Sequence, residues 1–240
     1  MCRLLAVSSP QPFDLQRYLE PFAEVARTSS EYQGHGWGCG WMTPGGWRLY
    51  HDIAPVWEDP SPPRGRTRLF VAHARSAFRD EGIEVRNNMP FTDGRSLFLF
   101  NGELRGVRMK EEGRIGAEKV FNFIRRFDRG DMAEAMRKGL AIIERRTRFV
   151  RAMNIIIADA DAIRVTNRFN DSPGYFQMHV SASPERLILC SDPLPASGVS
   201  GASAGGEWQP LATGEVHTYR TDMAWTDKAW TDRPDQQGRT

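Results

Sequence analysis

The sequence predicts a single α+β domain in which helices cover packed β-sheets. The apolar patterns follow the order strand, helix, strands, two helices, strands, which suits one layered domain. The 240 residues contain no internal repeat, and no internal linker is long enough to divide domains. We therefore predict one domain over residues 1–222, followed by a polar C-terminal tail at 223–240.

The N-terminal part of the chain contains three strand patterns and one helical pattern. Residues 2–8 are short and apolar, which is typical of a buried strand. Residues 13–26 carry apolar side chains at helical spacing, with Asp14 in the first turn, and predict an amphipathic helix. Residues 33–50 are rich in Gly and Trp, and a Pro-Gly-Gly turn at 44–46 predicts two strands joined tightly.

The rest of the chain predicts two further strands, a pair of helices and a β-rich end. Residues 69–74 and 96–100 are apolar strand patterns separated by a polar connection. Residues 117–127 and 132–145 each carry one apolar helical face. The later strand patterns lie at residues 154–158, 162–169, 175–181, 186–191 and 215–220, with a flexible glycine-rich loop expected at 198–206.

Composition excludes several classes of protein. The 32 basic and 30 acidic residues leave a formal charge of only +2, whereas nucleic-acid binders show a concentrated basic surplus. No apolar run reaches the roughly 20 residues that span a bilayer, and the N-terminus does not resemble a secretory signal. Cys2, Cys39 and Cys190 form no disulfide or metal pattern, and the histidines show no ligand spacing. We expect a cytoplasmic protein that binds neither nucleic acid nor membrane and has no metal or cofactor.

Cys2 directly follows Met1, and this position would make Cys2 the N-terminal residue if Met1 were removed. Methionine aminopeptidases remove Met1 when the second residue is small, so the mature chain would begin with a thiol and a free α-amine on one residue. The α-amine has an ordinary pKa of about 7.7–8.0, so near neutral pH a useful fraction can accept the thiol proton. Nucleophile and general base would then belong to one residue. The alternative is that Cys2 is simply a small buried residue of a strand.

Two further polar sites follow apolar strand patterns. Asn101 and Gly102 come after residues 96–100, where a side-chain amide and a backbone N–H can converge on an oxyanion. Their alternative is a hairpin turn, because Asn-Gly is common there. Arg75 ends the strand pattern at 69–74 and is suited to gripping a carboxylate, although an ordinary ion pair would also explain it. His73 is better explained as a hydrogen-bonded structural histidine than as a base.

Together these segments resemble the class II glutamine amidotransferases, whose nucleophile is an N-terminal cysteine. The stand-alone branch with the ergothioneine-pathway γ-glutamyl amidohydrolases is the most similar. The resemblance extends from Met1 to about Arg220. It rests on segments in the family's order, namely MCRLLAV, HGWGCGW, HARSA, NNMPF and FNGEL, followed by LILCSDPL and GEWQPLATGEV.

The resemblance implies a four-layer α/β/β/α fold, in which two antiparallel sheets stack between helices. It implies that Cys2 is the nucleophile, that Asn101 and Gly102 stabilise the oxyanion, and that Arg75 binds the substrate carboxylate, with His73 beside it. The implied reaction is hydrolysis of a γ-glutamyl amide, either glutamine or a larger conjugate. The 240 residues hold no synthetase domain. Ammonia from glutamine would therefore be lost or passed to a partner synthetase.

One departure from the family pattern concerns the substrate's α-ammonium. The family usually has an Asp where this chain has Gly116, although Glu118 persists two residues later and we expect it to bind substrate. His35 and Met89 also replace usual family residues. Glu103 or Glu118 could bind the ammonium instead, or the substrate could lack a free α-amine. A third alternative is a non-catalytic binding or regulatory subunit that keeps the fold. A homodimer also stays open.

Overall fold

Two antiparallel β-sheets pack face to face, and helices cover their outer faces, in the computed structural model. The structure describes residues 1–77, 79, 81–195 and 207–221. One core cluster joins side chains of both sheets to the helices of residues 116–145, and a second joins the first sheet to the helix of residues 16–27. This arrangement confirms the predicted four-layer α/β/β/α fold.

The elements of the described residues follow in chain order. They are β1 (Arg3–Asp14), α1 (Gln16–Arg27), β2 (Trp37–Thr43), β3 (Gly46–Asp52), β4 (Arg66–Ala74), a 3₁₀ turn (Val85–Asn87), β5 (Phe91–Thr92), β6 (Leu97–Arg105), α2 (Gly116–Arg125), α3 (Met132–Arg145), β7 (Phe149–Ala158), β8 (Ala162–Thr166), α4 (Pro173–Phe176), β9 (His179–Ser183), β10 (Arg186–Cys190), β11 (Gln209–Pro210) and β12 (Val216–Arg220). The first sheet has the order β11-β9-β10-β1-β4-β2-β3, and the second has the order β12-β8-β7-β6-β5.

The alternation of side chains along β4 determines which residues can reach the space between the sheets. Leu69 and Val71 belong to the core shared with the second sheet, whereas Phe70 and Ala72 belong to the core beneath α1. Because successive side chains of a strand point to opposite faces, His73 lies on the same face as Leu69 and Val71. The strand therefore presents His73 toward the second sheet.

Hydrogen bonds and apolar faces explain where the helices form. α1 buries Tyr18, Leu19 and Phe22 against the outer face of the first sheet. α3 begins after Asp131, whose side chain accepts a hydrogen bond from the Glu134 backbone N–H at 3.0 Å. Such an N-cap satisfies one of the backbone donors that a helix start leaves without a partner. The predicted bounds of α3 are confirmed.

Two sequence predictions of local structure are wrong, and one alternative is excluded. The helix predicted at 13–26 begins only at Gln16, because Phe13 pairs with Thr67 and extends β1 past an irregularity in the ladder. Residues 173–176 form the short helix α4, so the strand predicted at 175–181 begins at His179. Asn101 and Gly102 form no hairpin turn, because β6 continues to Arg105.

The predicted loop at 198–206 and the predicted tail at 223–240 lie outside the described residues. Among the residues that are described, no helix is both long enough and apolar enough to cross a membrane.

Candidate active site

Cys2 and Asn101 meet where one end of the first sheet faces the second. The Cys2 backbone nitrogen donates a hydrogen bond to Asn101 Oδ1 at 2.9 Å, although the two residues are 99 positions apart in sequence. Cys2 directly precedes β1, and Asn101 lies inside β6, opposite Asn154 of β7. The Cys2 thiol lies 3.7 Å from the carbonyl oxygen of Ser76, just beyond β4. The site therefore depends on the stacking of the two sheets.

Asn101 carries a side-chain donor that the described part of the chain does not satisfy. Its side chain is fully buried, and its Nδ2 has no hydrogen-bond partner there, although Oδ1 on the same amide group binds Cys2. A buried donor without a partner costs about 1–3 kcal/mol. Such groups are rare in folded proteins, and a ligand oxygen would satisfy this one. The amide can thus bind an oxygen atom next to Cys2.

Gly102 lies where β6 and β7 approach each other too closely for a side chain. A Cβ added at this position would lie 2.2 Å from the carbonyl oxygen of Ala152 and 2.8 Å from Cζ of Phe100. The Ala152 oxygen is a backbone atom of β7, so it cannot move aside easily. Packing alone therefore requires glycine here.

Arg75 is a buried guanidinium close to Cys2 that still has donors available. Its Nη1 donates to Asn88 Oδ1 at 3.2 Å, and its Nη2 donates to the carbonyl oxygen of Gly82 at 2.8 Å. A guanidinium has more N–H groups than these two contacts use. Burial lowers the pKa of Arg75, and the charges of Cys2 and Glu84 oppose that shift. The remaining donors suit a carboxylate.

His73 does not make the hydrogen bond that the sequence predicts for it. The side chain is fully buried, and neither ring nitrogen has a partner within the described ranges. Burial lowers the pKa of His73 to about 3, and the positive charge of Arg75 contributes to the shift. The imidazole is therefore neutral at physiological pH. His73 lies on the face of β4 that is directed toward the second sheet, and its ring makes no hydrogen bond with the described residues.

Glu118 lines a cleft whose wall also includes Asn88, the residue that accepts a hydrogen bond from Arg75 Nη1. The cleft has a volume of about 290 Å³, and Asn88, Arg114 and Glu118 are among its lining residues. Arg114 donates from Nη2 to Glu118 Oε1 at 2.6 Å, and this bond lowers the pKa of Glu118. The Glu118 carboxylate that lines the cleft is thus already paired with Arg114. No hydrogen bond or ion pair of the described residues joins Glu118 to Cys2 or Asn101, which contact each other directly.

The three cysteines occupy different environments. Burial raises the pKa of the Cys2 thiol, while the Met1 ammonium, the Ser76 carbonyl contact and Arg75 oppose the shift. Cys39 and Cys190 are buried in the core beneath α1, where burial raises their pKa values, that of Cys190 to about 12. Thiolates are the reactive form of cysteine. The pKa values of all three thiols are thus raised, and Cys2 is the one of the three that is not fully buried.

Three side chains that the sequence analysis missed surround Met1, and we call them the Met1 cradle: Glu31, Gln33 and Tyr175. The Met1 ammonium forms an ion pair with Glu31. The Met1 carbonyl oxygen accepts hydrogen bonds from Gln33 Nε2 at 2.7 Å and from the Tyr175 hydroxyl. Gln33 immediately precedes the HGWGCGW-containing glycine-rich segment, but no sequence pattern marks Tyr175, which lies far along the chain. Across the described residues, no group of three or more His, Cys, Asp or Glu side chains could hold a metal ion.

Sequence comparison finds a curated relative but no matching family model. Over 102 residues the chain is 32% identical to the γ-glutamyl-hercynylcysteine sulfoxide hydrolase of Mycobacterium tuberculosis, in each of two strains. The matched region is 41% of this chain and 42% of the relative. The chain therefore matches less than half the length of these curated relatives.

Solved structures resemble the chain over nearly its whole length. A class II glutamine amidotransferase domain protein from Silicibacter pomeroyi is 17% identical, with a TM-score of 0.59 over 92% of this chain and 99% of that one. A predicted glutamine amidotransferase from Pseudomonas aeruginosa is also 17% identical, with a TM-score of 0.57 over 92% and 98%. The glutamine phosphoribosylpyrophosphate amidotransferase of Bacillus subtilis is 11% identical, with a TM-score of 0.63 over 92% of this chain and 50% of that one. These findings confirm the predicted resemblance, and the chain has the fold of class II glutamine amidotransferase domains.

Proposed function

We propose that this chain hydrolyses γ-glutamyl amides through an acyl-enzyme intermediate on Cys2. The observation that carries the proposal is the contact between the Cys2 nitrogen and Asn101 Oδ1, with Asn101 Nδ2 buried and unpartnered within the described residues. A nucleophile beside a free buried amide donor is the arrangement that acyl transfer requires. The fold and the sequence similarity to a named γ-glutamyl hydrolase support the same reaction.

The first chemical step requires the free α-amine of Cys2, and hence removal of Met1. Asn101 Oδ1 would then hold the amine as it now holds the amide N–H. The amine takes the thiol proton, and Sγ forms a bond to the γ-carbonyl carbon of the substrate. The carbonyl oxygen becomes an oxyanion, which accepts hydrogen bonds from Asn101 Nδ2 and the Gly102 N–H.

The second part of the reaction releases both products. As the tetrahedral intermediate collapses, the carbon–nitrogen bond breaks and the Cys2 ammonium gives its proton to the leaving nitrogen. Water then adds to the thioester, with the Cys2 amine as base. The carbon–sulfur bond breaks, the γ-carboxylate product leaves, and the thiol regains a proton. No cofactor is needed for this chemistry.

The glutamyl end of the substrate would bind on the Arg75 side of Cys2. Arg75 is proposed to hold the α-carboxylate with the donors that Asn88 and Gly82 do not use. Glu118 is proposed to contribute from the cleft, where a substrate ammonium would have to share its carboxylate with Arg114. Glu103, the alternative partner of the substrate ammonium, already forms ion pairs with Arg105 and Arg151. We propose His73 as a neutral wall of this pocket.

A direct assay tests the proposal. Wild-type protein should release glutamate from glutamine or from γ-glutamyl-p-nitroanilide, and Cys2→Ala should abolish turnover at an unchanged melting temperature. Alanine is a matched control, because it is also small enough for Met1 to be removed. Full activity in Cys2→Ala would show that the nucleophile assignment is wrong.

A second function, non-catalytic binding, is favoured by the contacts of Met1. Its ammonium and carbonyl are both bound, and only 10% of its side chain is exposed. A chain that keeps Met1 has no free Cys2 amine to serve as base. N-terminal sequencing of protein from its native host separates the two functions. If glutamine is the substrate in the enzyme, a synthetase partner that accepts ammonia remains part of the proposal.

A further inference from the structure

Arg3 begins β1, and its buried guanidinium contacts three separate segments of the chain. The residue is only 4% exposed. Nε donates to Ser29 Oγ beyond the end of α1 at 3.1 Å. Nη1 donates to the carbonyl oxygens of Tyr175 in α4 and of Ser191 just beyond β10, each at 3.4 Å. The guanidinium also lies over the Tyr175 ring, 4.2 Å from its centroid, and Nη2 lies 3.6 Å from Asp192 Oδ2. Arg3 therefore ties the start of β1 to these three segments.

The side chains of Arg3 and Cys2 point to opposite faces of the first sheet. Leu4 belongs to the core between the sheets, whereas Leu5 belongs to the core beneath α1. Because successive side chains of a strand alternate between faces, Arg3 lies on the face of Leu5 and Cys2 on that of Leu4. Arg3 therefore does not face the thiol, and its effect on the reaction would come through the backbone that it shares with Cys2.

Removal of Met1 makes this attachment more important. In the proposed function, on which this inference rests, Met1 is removed, and the bonds from the Met1 cradle are lost with it. Cys2 then becomes a terminal residue, and such residues are poorly ordered unless other contacts hold them. Toward β10, backbone bonding of β1 reaches Leu4. The Arg3 side chain extends the attachment by one more residue, next to Cys2.

We propose that Arg3 is a positioning residue, which keeps the α-amine and the thiol of Cys2 aligned with Asn101 after Met1 is removed. A planar guanidinium with five N–H donors can bond two carbonyl oxygens while it stacks on an aromatic ring. Lysine keeps the charge but has neither the fork of donors nor the flat face. Without Arg3 the terminal residue shifts relative to Asn101, and a misplacement of about 1 Å can slow a reaction about 10²-fold.

Two reactions of Cys2 that differ in their need for alignment test the proposal. Hydrolysis of γ-glutamyl-p-nitroanilide requires Sγ to meet a bound carbonyl carbon, whereas alkylation by iodoacetamide, a small electrophile, requires only a reachable, activated thiol. Arg3→Leu should lower kcat by about 10–10²-fold with KM within about twofold of wild type, while Cys2 is alkylated at least as fast as in wild type. Arg3→Lys should have an intermediate kcat, and it keeps the comparison available if Arg3→Leu does not fold. Intact mass checks that every variant has lost Met1.

A second arginine with little exposure provides the matched control. Arg164 lies on β8, its side chain is 13% exposed, and it pairs with Asp159 at 2.7 Å. Arg164→Leu should therefore lower the melting temperature and leave kcat close to that of wild type. A wild-type kcat in the Arg3 variants, or alkylation of Cys2 that slows in step with kcat, would overturn the positioning role and leave the proposed function in place. Failure of wild-type protein to hydrolyse either glutamine or the anilide would overturn the proposed function, and the role of Arg3 with it.

Discussion

At Asn101 one atom of a buried amide is bound and its neighbour is not. Oδ1 accepts from the Cys2 nitrogen, whereas Nδ2 finds no partner within the described ranges. Replacing an asparagine that serves only packing would cost stability and leave chemistry unaffected. An oxyanion donor would instead matter in the transition state. The two roles predict different consequences for kinetics.

Asn101→Asp should lower kcat by about 10²–10³-fold with little change in KM, because the donor becomes a carboxylate oxygen that repels the oxyanion. Steady-state kinetics with a γ-glutamyl amide measure this. Asn167→Asp is the matched control: Asn167 is equally buried, but its amide bonds Leu211 and Met178. That variant should melt at a lower temperature with a nearly normal kcat. Equal kcat values for Asn101→Asp and wild type would exclude Asn101 from the oxyanion site.

At this scale the sequence predicted Cys2, Asn101, Gly102 and Arg75 because family-like segments contain them. The cradle residues Glu31 and Tyr175 escaped prediction. Each reaches Met1 across 30 or more residues, and neither lies in a recognisable pattern. Such contacts depend on tertiary packing, which single-sequence patterns do not report.

At the scale of single elements, two glycines show that the space around a backbone position determines whether a side chain fits there. A Cβ at Gly102 in β6 would collide with the backbone of Ala152, whereas a Cβ at Gly116, the first residue of α2, would meet nothing within 4 Å. Gly102 is fixed by the close approach of two strands. Gly116 stands in open space at a helix start.

Opposite stability changes should therefore follow from the same substitution. Gly102→Ala should lower the free energy of unfolding by about 1–3 kcal/mol through overpacking. Gly116→Ala should raise it by about 0.4–1 kcal/mol, because alanine restricts the unfolded chain more than glycine does. Urea denaturation of both variants measures the difference. A stable Gly102→Ala protein would mean that β6 and β7 do not approach as closely as described.

Element bounds were predicted well where one periodicity dominates and poorly where two compete. α3 was predicted to the residue, because it has one apolar face and an N-cap at Asp131. Phe13 fits the helical spacing of α1, yet its backbone pairs with Thr67 in β4. Sheet pairing with a distant strand prevailed over local spacing there. Asn101-Gly102 was likewise ambiguous until the pairing of β6 with β7 excluded a turn.

At the scale of the whole molecule, sheet stacking buries ionisable groups between layers, and this makes stability depend on pH. Burial holds the pKa of His73 at about 3 in the folded protein, against about 6.5 in the unfolded chain. Burial also lowers the pKa of His51 and that of His179. Below pH 6.5 the unfolded chain therefore binds protons that the folded protein does not, and stability falls as pH falls toward 3.

His73 alone should lower the free energy of unfolding by about 1.6 kcal/mol between pH 6.5 and pH 5, because the slope grows from about 0.7 kcal/mol per pH unit at pH 6.5 to about 1.4 kcal/mol per pH unit near pH 5. Urea denaturation at pH 7.5, 6.5 and 5.0 measures the slope. His73→Gln should reduce the slope near pH 5 by about 1.4 kcal/mol per pH unit, the contribution of one proton. His217→Gln, on β12, serves as the control. A His73→Gln protein with the wild-type slope would contradict a neutral His73 in the fold.

The stacked architecture came from the family resemblance, because composition and periodicity alone predict only helices over packed sheets. In the first sheet β1 lies between β4 and β10, which are far apart in sequence. Such long-range pairing has no local sequence signal. Substrate choice likewise depends on a pocket that several elements build together. The sequence therefore predicts the type of reaction more readily than the leaving group of the substrate.

The central claim, that Cys2 is a nucleophile facing a glutamyl pocket, is tested most directly by intact mass with N-terminal peptide mapping. The protein would be purified from its native host and incubated with 6-diazo-5-oxo-norleucine, an electrophile that mimics glutamine. The account predicts a chain that lacks Met1 and carries one adduct, located on Cys2. A chain that retains Met1, or one that lacks Met1 but leaves Cys2 unmodified, would contradict it.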